Sequence, residues 1–287
     1  SYTGALSNNI TGTLPAAGTC TCRSIITLGA DSLLNTNATY TIVTGKSISS
    51  TAARLTGQTI NGAGQVIITA GGATTGADLE EITSTTSSYT GTDADSITGK
   101  LPAAGTCTIN NSLTLGADSL LNSSATYTIV VGKTLTGTAA RLNGQQTAGA
   151  GTTAITGLDS AGAAFVFANI ASAVATLAVS DDVTFTGSLP AGASPSATVA
   201  GTKTLTISAA KANDYTITGA GNLAVTGLST AAYIGENINM AGTYQIAGSG
   251  TMHSTTNFTP AGGTNPTIVP TGTFTATAAQ ITTLNIN

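Results

Sequence analysis

The sequence predicts an all-β protein, and within that class a β-solenoid. Three observations carry the prediction: a strand-forming composition, a period-two alternation of polar and apolar residues, and a long internal repeat that loses one short unit cleanly. The 287 residues include 58 Thr and 35 Gly, no Trp and a single His. Thr, Val, Ile and Tyr favour strands, whereas Gly and Asn favour turns. Charged residues make up 7% of the chain (8 Lys+Arg, 12 Asp+Glu), against about 25% in ordinary proteins. A net charge of −4 with so few cations excludes a nucleic-acid partner, which needs a basic surface. The 41% hydrophobic content and mean hydropathy of +0.26 set the chain apart from disordered polar sequences.

The repeat organises the chain. Residues 1–58 align with 88–145 without a gap, with 39 identities in 58 positions. Leu14-Pro15-Ala16-Ala17-Gly18 recurs at 101–105, Cys20 matches Cys107, Thr39-Tyr40-Thr41-Ile42-Val43 recurs at 126–130, and Thr51-Ala52-Ala53-Arg54-Leu55 at 138–142. The boundaries are 1–87, 88–174, a diverged copy at 175–244 and a partial fourth at 245–287, read as one continuous solenoid. Copy three is shorter. Its Leu189-Pro190-Ala191-Gly192 lies 88 residues after the second LPAAG, but its Lys203-Thr204-Leu205-Thr206 lies only 70 after Lys133-Thr134-Leu135-Thr136, a loss of 88 − 70 = 18 residues. Downstream the register resumes, with TINGAGQVIIT (59–69), TAGAGTTAIT (147–156) and TITGAGNLAVT (216–226) forming one recurring element.

Losing 18 residues from a sandwich removes about two strands and opens a sheet edge. A solenoid loses one rung and its neighbours restack, because each rung contacts only the next. Rungs of roughly 18–22 residues place four in each repeat, rising ~19 Å per repeat and ~65 Å overall at about 4.8 Å per strand. Tandem β-sandwich domains are the alternative fold, since a repeat of 87 residues approaches the size of one sandwich domain.

The elements follow from the alternation. TYTIV, KTLTG, QVIITA, VTFTG, KTLTI, YTITG and TFTAT alternate small polar with apolar residues and read as half-buried strands. Gly, Asn-Gly and Pro-Ala-Gly groups mark the corners. Helical turns are expected only within 77–83 and 163–178. The uncharged run 160–180 is rich in Ala and Ser rather than Leu and Ile, so no membrane span is predicted. No positively charged start with an apolar stretch of the signal-peptide kind opens the sequence.

Chemistry-bearing residues are few. A Ser-His-Asp arrangement would have to pass through His253, which is read as a loop or strand-face histidine. The close acidic groups are Glu80-Glu81, Asp93/Asp95 and Asp181-Asp182; adjacent strand residues point to opposite faces, which opposes a glycosidase pair at the last. No enzyme activity and no cofactor are expected. Asp93, Asp95, Asp181 and Asp182 are the candidates for a calcium site at rung corners, although the GGxGxD β-roll signature is absent. Cys20, Cys22 and Cys107 are either small buried apolar residues or intermolecular cross-links in an oxidising exterior. The spacing of four rungs, ~19 Å, separates Cys20 and Cys107 too far for a bridge between them. Asp31/Asp118, Lys46/Lys133 and Arg54/Arg141 recur at matching positions and are read as vertical pairs or as contacts to a neighbouring chain. Thr-x-Thr pairs, among them 19/21, 39/41, 106/108 and 126/128, raise the further reading of an ice-binding hydroxyl array.

Tandem Thr/Gly/Asn-rich units with TITG-like strands and scarce charge resemble the β-strand repeats of bacterial surface proteins, the filamentous-haemagglutinin-like and autotransporter-type β-solenoids. The resemblance spans all 287 residues and rests on composition and period rather than on a diagnostic motif. It implies secretion and a structural or adhesive role, and it transfers no active-site residue. Three cysteines depart from the pattern. The expected function is an extracellular structural protein that self-assembles into a filament, sheath or surface layer, its partner a second copy of itself. The stalk of an adhesin that reaches surface glycans is the alternative.

Overall fold

The computed structural model describes residues 7–10, 14, 17–29, 34–69, 77–92, 95–97, 99–116, 121–213, 215–227, 235–251, 260–281 and 285–286. The described residues form an all-β solenoid of stacked coils. Every strand pairing among the described residues is parallel, which a tandem β-sandwich, built from antiparallel neighbours, does not give. The chain divides into two units. The first comprises Ser1–Gly137, Gly144–Thr153 and Asn169–Ala173, and the second Thr138–Asn143, Ala154–Ala168 and Val174–Asn287.

In the first unit an eight-stranded sheet stacks Ser7–Ile10, Ile25–Leu28, Ser47–Ser50, Gln65–Ile68, Thr86–Tyr89, Gly105–Ile109, Ala125–Ile129 and Gln146–Ala148, in that order. A three-stranded sheet stacks Gly18–Cys22, Ala38–Ile42 and Thr59–Gly62. A third ladder begins at Asp95–Ile97, which pairs with Leu113–Leu115 and through it with Leu135 and Thr136. Alternation decides which side chains go inward. In Ala38–Ile42 and Ala125–Ile129 the Ala, Tyr and Ile are buried and the two Thr half-exposed. Inward residues stack in columns, such as Cys20 on Tyr40 on Ile60, and Ile68 on Tyr89 on Ile109 on Ile129. At about 25 cal/mol per Å² of apolar surface removed from water, these columns are the main stabilising element.

The copies do not complete whole turns. From Cys20 the column runs through Tyr40 and Ile60 to Ile82, whose carbonyl accepts the Ala103 N–H at 3.1 Å. Four coils therefore carry the chain from Cys20 to Ala103, and the equivalent cysteine, Cys107, stands four residues further, in the next sheet. Gly18–Cys22, Ala38–Ile42 and Thr59–Gly62 share the three-stranded sheet, but their copy-two counterparts Gly105–Ile109, Ala125–Ile129 and Gln146–Ala148 lie in the eight-stranded sheet. The expectation of four whole rungs per repeat is corrected accordingly. Each coil is about 20 residues, as Gly105 over Ala125 shows, and 87 is not a multiple of it. The second copy is turned by one sheet from the first.

The second unit has two ladders. One stacks Val174–Val179, Ser194–Val199, Thr216–Gly219, Ile238–Met240 and Gly262–Gly263. The other stacks Val183–Phe185, Thr204–Ser208, Asn222–Thr226, Tyr244–Thr251, Thr267–Thr275 and Asn285–Ile286. Between its LPAG and GAG landmarks copy three has two strand pairs, Ser194–Val199 with Thr204–Ser208 and Thr216–Gly219 with Asn222–Thr226. Copy two has three over the same stretch, from Gly105–Ile109 to Thr152–Leu158, so the missing 18 residues are one coil.

The GAG element owes its recurrence to a corner. Gly62, Gly149 and Gly219 have φ of +105°, +97° and +134°, and a Cβ at any of them would overlap the carbonyl oxygen one coil earlier, at Ile42, Ile129 and Val199. Only glycine meets both the left-handed backbone and the close approach.

Single α-helical turns fall at Ala52–Leu55, Ala139–Leu142, Ala209–Ala212 and Ala278–Ile281, each on the Thr/Ser-Ala-Ala element, and a 3-10 turn falls at Ser160–Gly162. In the first two, Ala and Leu are driven into the interior while Arg54 and Arg141 stay nearer the surface. The expectation of helical turns within 77–83 and 163–178 is corrected. Ala77–Asp78 is a strand, and the later stretch is bridge, turn and the strand Val174–Val179. Among the described residues no helix is long and apolar enough to cross a membrane.

Candidate functional site

A lysine recurs at one corner of the coil. Lys46, Lys133 and Lys203 occupy one position in three copies. Each donates its backbone N–H to the residue three before it, at 3.1 Å, and each offers its carbonyl to the next coil, to the N–H of Gln65, Thr152 and Asn222. What lies one coil earlier differs. Beneath Lys203 and Thr204 stand Asp181 and Asp182. Lys203 Nζ reaches Asp181 Oδ1 at 2.8 Å, and the Thr204 N–H donates to Asp182 Oδ1 at 2.7 Å. The hydrogen bond from Lys203 holds the Asp181 carboxyl below the usual carboxylate range, and Asp181 in turn raises the lysine. In copy two the Thr134 N–H donates to Ser112 Oγ at 3.2 Å, the same bracket without a carboxylate.

These contacts assign Asp181 and Asp182, two of the calcium candidates, to a corner bracket. A lysine cation faces the first and a backbone N–H the second, which opposes a dication there. Asp95 begins the strand Asp95–Ile97 and pairs with Leu113. Asp93 lies outside the described residues, as do Asp31, Asp118 and His253. Among the described residues no group of three or more His, Cys, Asp and Glu is gathered. Glu80 and Asp78 instead share Lys100, Glu80 through a hydrogen bond that raises the lysine. All three side chains are about half exposed, so the cluster fixes register more than it adds stability.

Cys20, Cys22 and Cys107 are free thiols, all buried in the coil interior. Cys20 and Cys107 each lie beneath a tyrosine, Tyr40 and Tyr127, in the column of inward residues. Burial pushes the Cys22 thiol up to about 12 and the Cys107 thiol up to about 11. Of the two readings of these residues, packing is the one this placement matches; a cross-link would need them at the surface. The tyrosines above hold the turns. Tyr127 Oη donates to the Pro102 carbonyl at 3.1 Å and accepts the Asn122 N–H at 3.0 Å, while Tyr40 Oη accepts the Asn35 N–H at 2.8 Å.

The Thr-x-Thr pairs do form ladders. Thr19, Thr39 and Thr59 stack in register, as do Thr21, Thr41 and Asn61, with Thr41 Oγ1 donating to Asn61 Oδ1 at 2.7 Å. Thr86, Thr106 and Thr126 stack beside Ser88, Thr108 and Thr128. Because the second copy is turned by one sheet, the pairs at 39/41 and 126/128 stand in different sheets. The Thr86 and Ser88 arrays are three coils deep before Gln146 and Ala148 interrupt them, and the Thr21 array is two coils deep before Asn61.

Sequence reasoning missed one interior feature. Thr147 and Thr153, at the positions of Ile60 and Val66 in copy one, are both buried and lie 2.9 Å apart through their hydroxyls, with Ser172 Oγ donating to Thr153 at 2.8 Å. The signal was the paired change from two apolar residues to two hydroxyls. No family model, no curated protein and no solved structure matches the chain.

Proposed function

We propose that the chain is an extracellular structural protein of the β-strand-repeat surface type, which associates with copies of itself through uncharged hydroxyl faces. It has no catalytic role and no bound cofactor in this reading. The observation that carries it is the division of labour within each strand. Apolar columns fill the coil interior, and outward positions carry Thr, Ser, Asn and Gln with almost no charge. A surface of this kind offers hydrogen-bonding groups at a regular spacing of about 4.8 Å along the stack and generates little electrostatic repulsion between copies.

Sedimentation velocity across a hundredfold range of concentration tests the reading. The expected result is growth of large species with concentration, changing little between 20 mM and 500 mM salt because so few charges take part. A single monomeric boundary at every concentration overturns it.

A further inference from the structure

The lysine corner of copy one is built like that of copy three but lacks its anion. Ser24 and Ile25 stand where Asp181 and Asp182 stand beneath Lys203, by the register of Ile26 with Ile48 and of Val183 with Leu205. Lys46 has no carboxylate partner among the described residues. Instead it borders a groove of about 340 Å³ on the outward side of the eight-stranded sheet, with Ile25, Ser47, Gly64, Gln65 and Thr86 along it. That volume falls within the range of small-ligand sites, about 300–1,000 Å³.

The lining defines the ligand. Copy three shows that a carboxylate seats against this lysine without moving the corner, since Lys203 keeps the same backbone bonds while paired. The remaining groups suit a hydroxylated body. Gln65 Nε2 is committed to Ser88 Oγ at 3.2 Å, which leaves the amide oxygen as an acceptor. Thr86 Oγ1 donates to the Gly64 carbonyl at 3.4 Å and keeps its lone pairs. Ser47 adds a second hydroxyl, and Ile25, 38% exposed, offers an apolar patch for C–H groups. We propose that this groove binds acidic carbohydrate, with a uronate carboxylate on Lys46 and sugar hydroxyls on Ser47, Gln65 and Thr86.

Isothermal titration calorimetry of the full chain with trimers of galacturonate and of mannuronate tests the proposal, with a neutral galactose trimer and sodium acetate as controls. Two variants accompany it: Lys46→Met removes the cation, and Ile25→Asp, at the position of Asp182, puts a carboxylate on the groove wall that repels an acidic ligand. Circular dichroism verifies that both fold. The expected result is saturable binding of an acidic trimer, weakened at least tenfold in both variants, and no heat from the neutral trimer. No saturable binding of either acidic trimer overturns the proposal, as does undiminished binding by Lys46→Met. Acetate competing as well as the trimers reduces the groove to a simple anion site and overturns the carbohydrate assignment. Loss of self-association in Lys46→Met, with no sugar binding, makes a second copy the occupant and overturns it too.

Discussion

Removing one coil from copy two should leave a folded protein. The structure indicates where to cut. Thr106 is in register with both Thr86 and Thr126, and Leu113 with both Asp95 and Leu135. Deleting residues 106–125 brings Thr126 over Thr86 and Leu135 over Asp95, and it keeps Gly105, where a φ of +71° coincides with a Cβ position that would overlap the Thr85 carbonyl. Adding Tyr127→Cys restores the GTCTI strand in the layer that Cys107 vacates and avoids overpacking that layer with a tyrosine. The cut removes Cys107, Ile109, Leu113, Leu115 and Leu121 from the interior, but it removes the backbone that must be ordered around them as well. At about 0.05–0.15 kcal/mol of net stability per residue, a coil of about 20 residues contributes about 1–3 kcal/mol. Urea denaturation followed by far-UV circular dichroism measures this. A cooperative transition displaced by that amount is expected. An unfolded or molten product, as loss of two strands from a sandwich would give, refutes the reasoning.

Four further outcomes follow from the interior. Gly149→Ala should cost about 2–4 kcal/mol in chemical denaturation, because it strains a left-handed corner and drives a Cβ into the Ile129 carbonyl; a loss under about 0.5 kcal/mol contradicts the corner argument. At pH 8, thiols at about 12 and about 11 are ionised to only about 10⁻⁴ and 10⁻³, against about 10⁻¹ at the ordinary value of 9.0, so Cys22 and Cys107 should alkylate at least a hundredfold more slowly in the folded than in the unfolded chain. Because folding raises these thiols, the unfolded chain releases their protons first, and stability should fall as pH rises above 9; mass spectrometry and urea melts at pH 8 to 10.5 check both, and stoichiometric labelling of folded protein within minutes is the contrary result. Thr153→Val alone should cost about 1–3 kcal/mol by leaving buried hydroxyls short of a partner, whereas adding Thr147→Ile recreates the apolar pair of copy one and should recover at least about 0.5 kcal/mol; strict additivity of the two changes rules out the coupling.

Much of the fold was legible because strand alternation and corner glycines are local. Cys20 and Cys22 share the parity of Tyr40 and Ile42, so the pattern that buries the tyrosine buries both thiols. The lost coil of copy three was visible as a clean gap, since a stack of coils tolerates only whole-coil deletions. The turn of one sheet between copies was not legible. It depends on coil length, which the corners set, and a repeat of 87 residues is compatible with four whole coils or with four coils and a further sheet until the register is known. The single helical turns were missed although their signal was present, a Thr or Ser followed by Ala-Ala and a long side chain in every copy. Asp181 and Asp182 are calcium candidates in sequence because their partners, the Lys203 ammonium and the Thr204 N–H, each lie 22 residues away and meet them only when coils stack.

Negative-stain electron microscopy of the purified chain, with and without reductant, tests the structural role most directly. The account predicts filaments or sheets that persist in reductant, because the three thiols lie inside the coils and do not join copies. Dispersed single particles at every concentration contradict the account, and assemblies that dissolve on reduction contradict its placement of the cysteines.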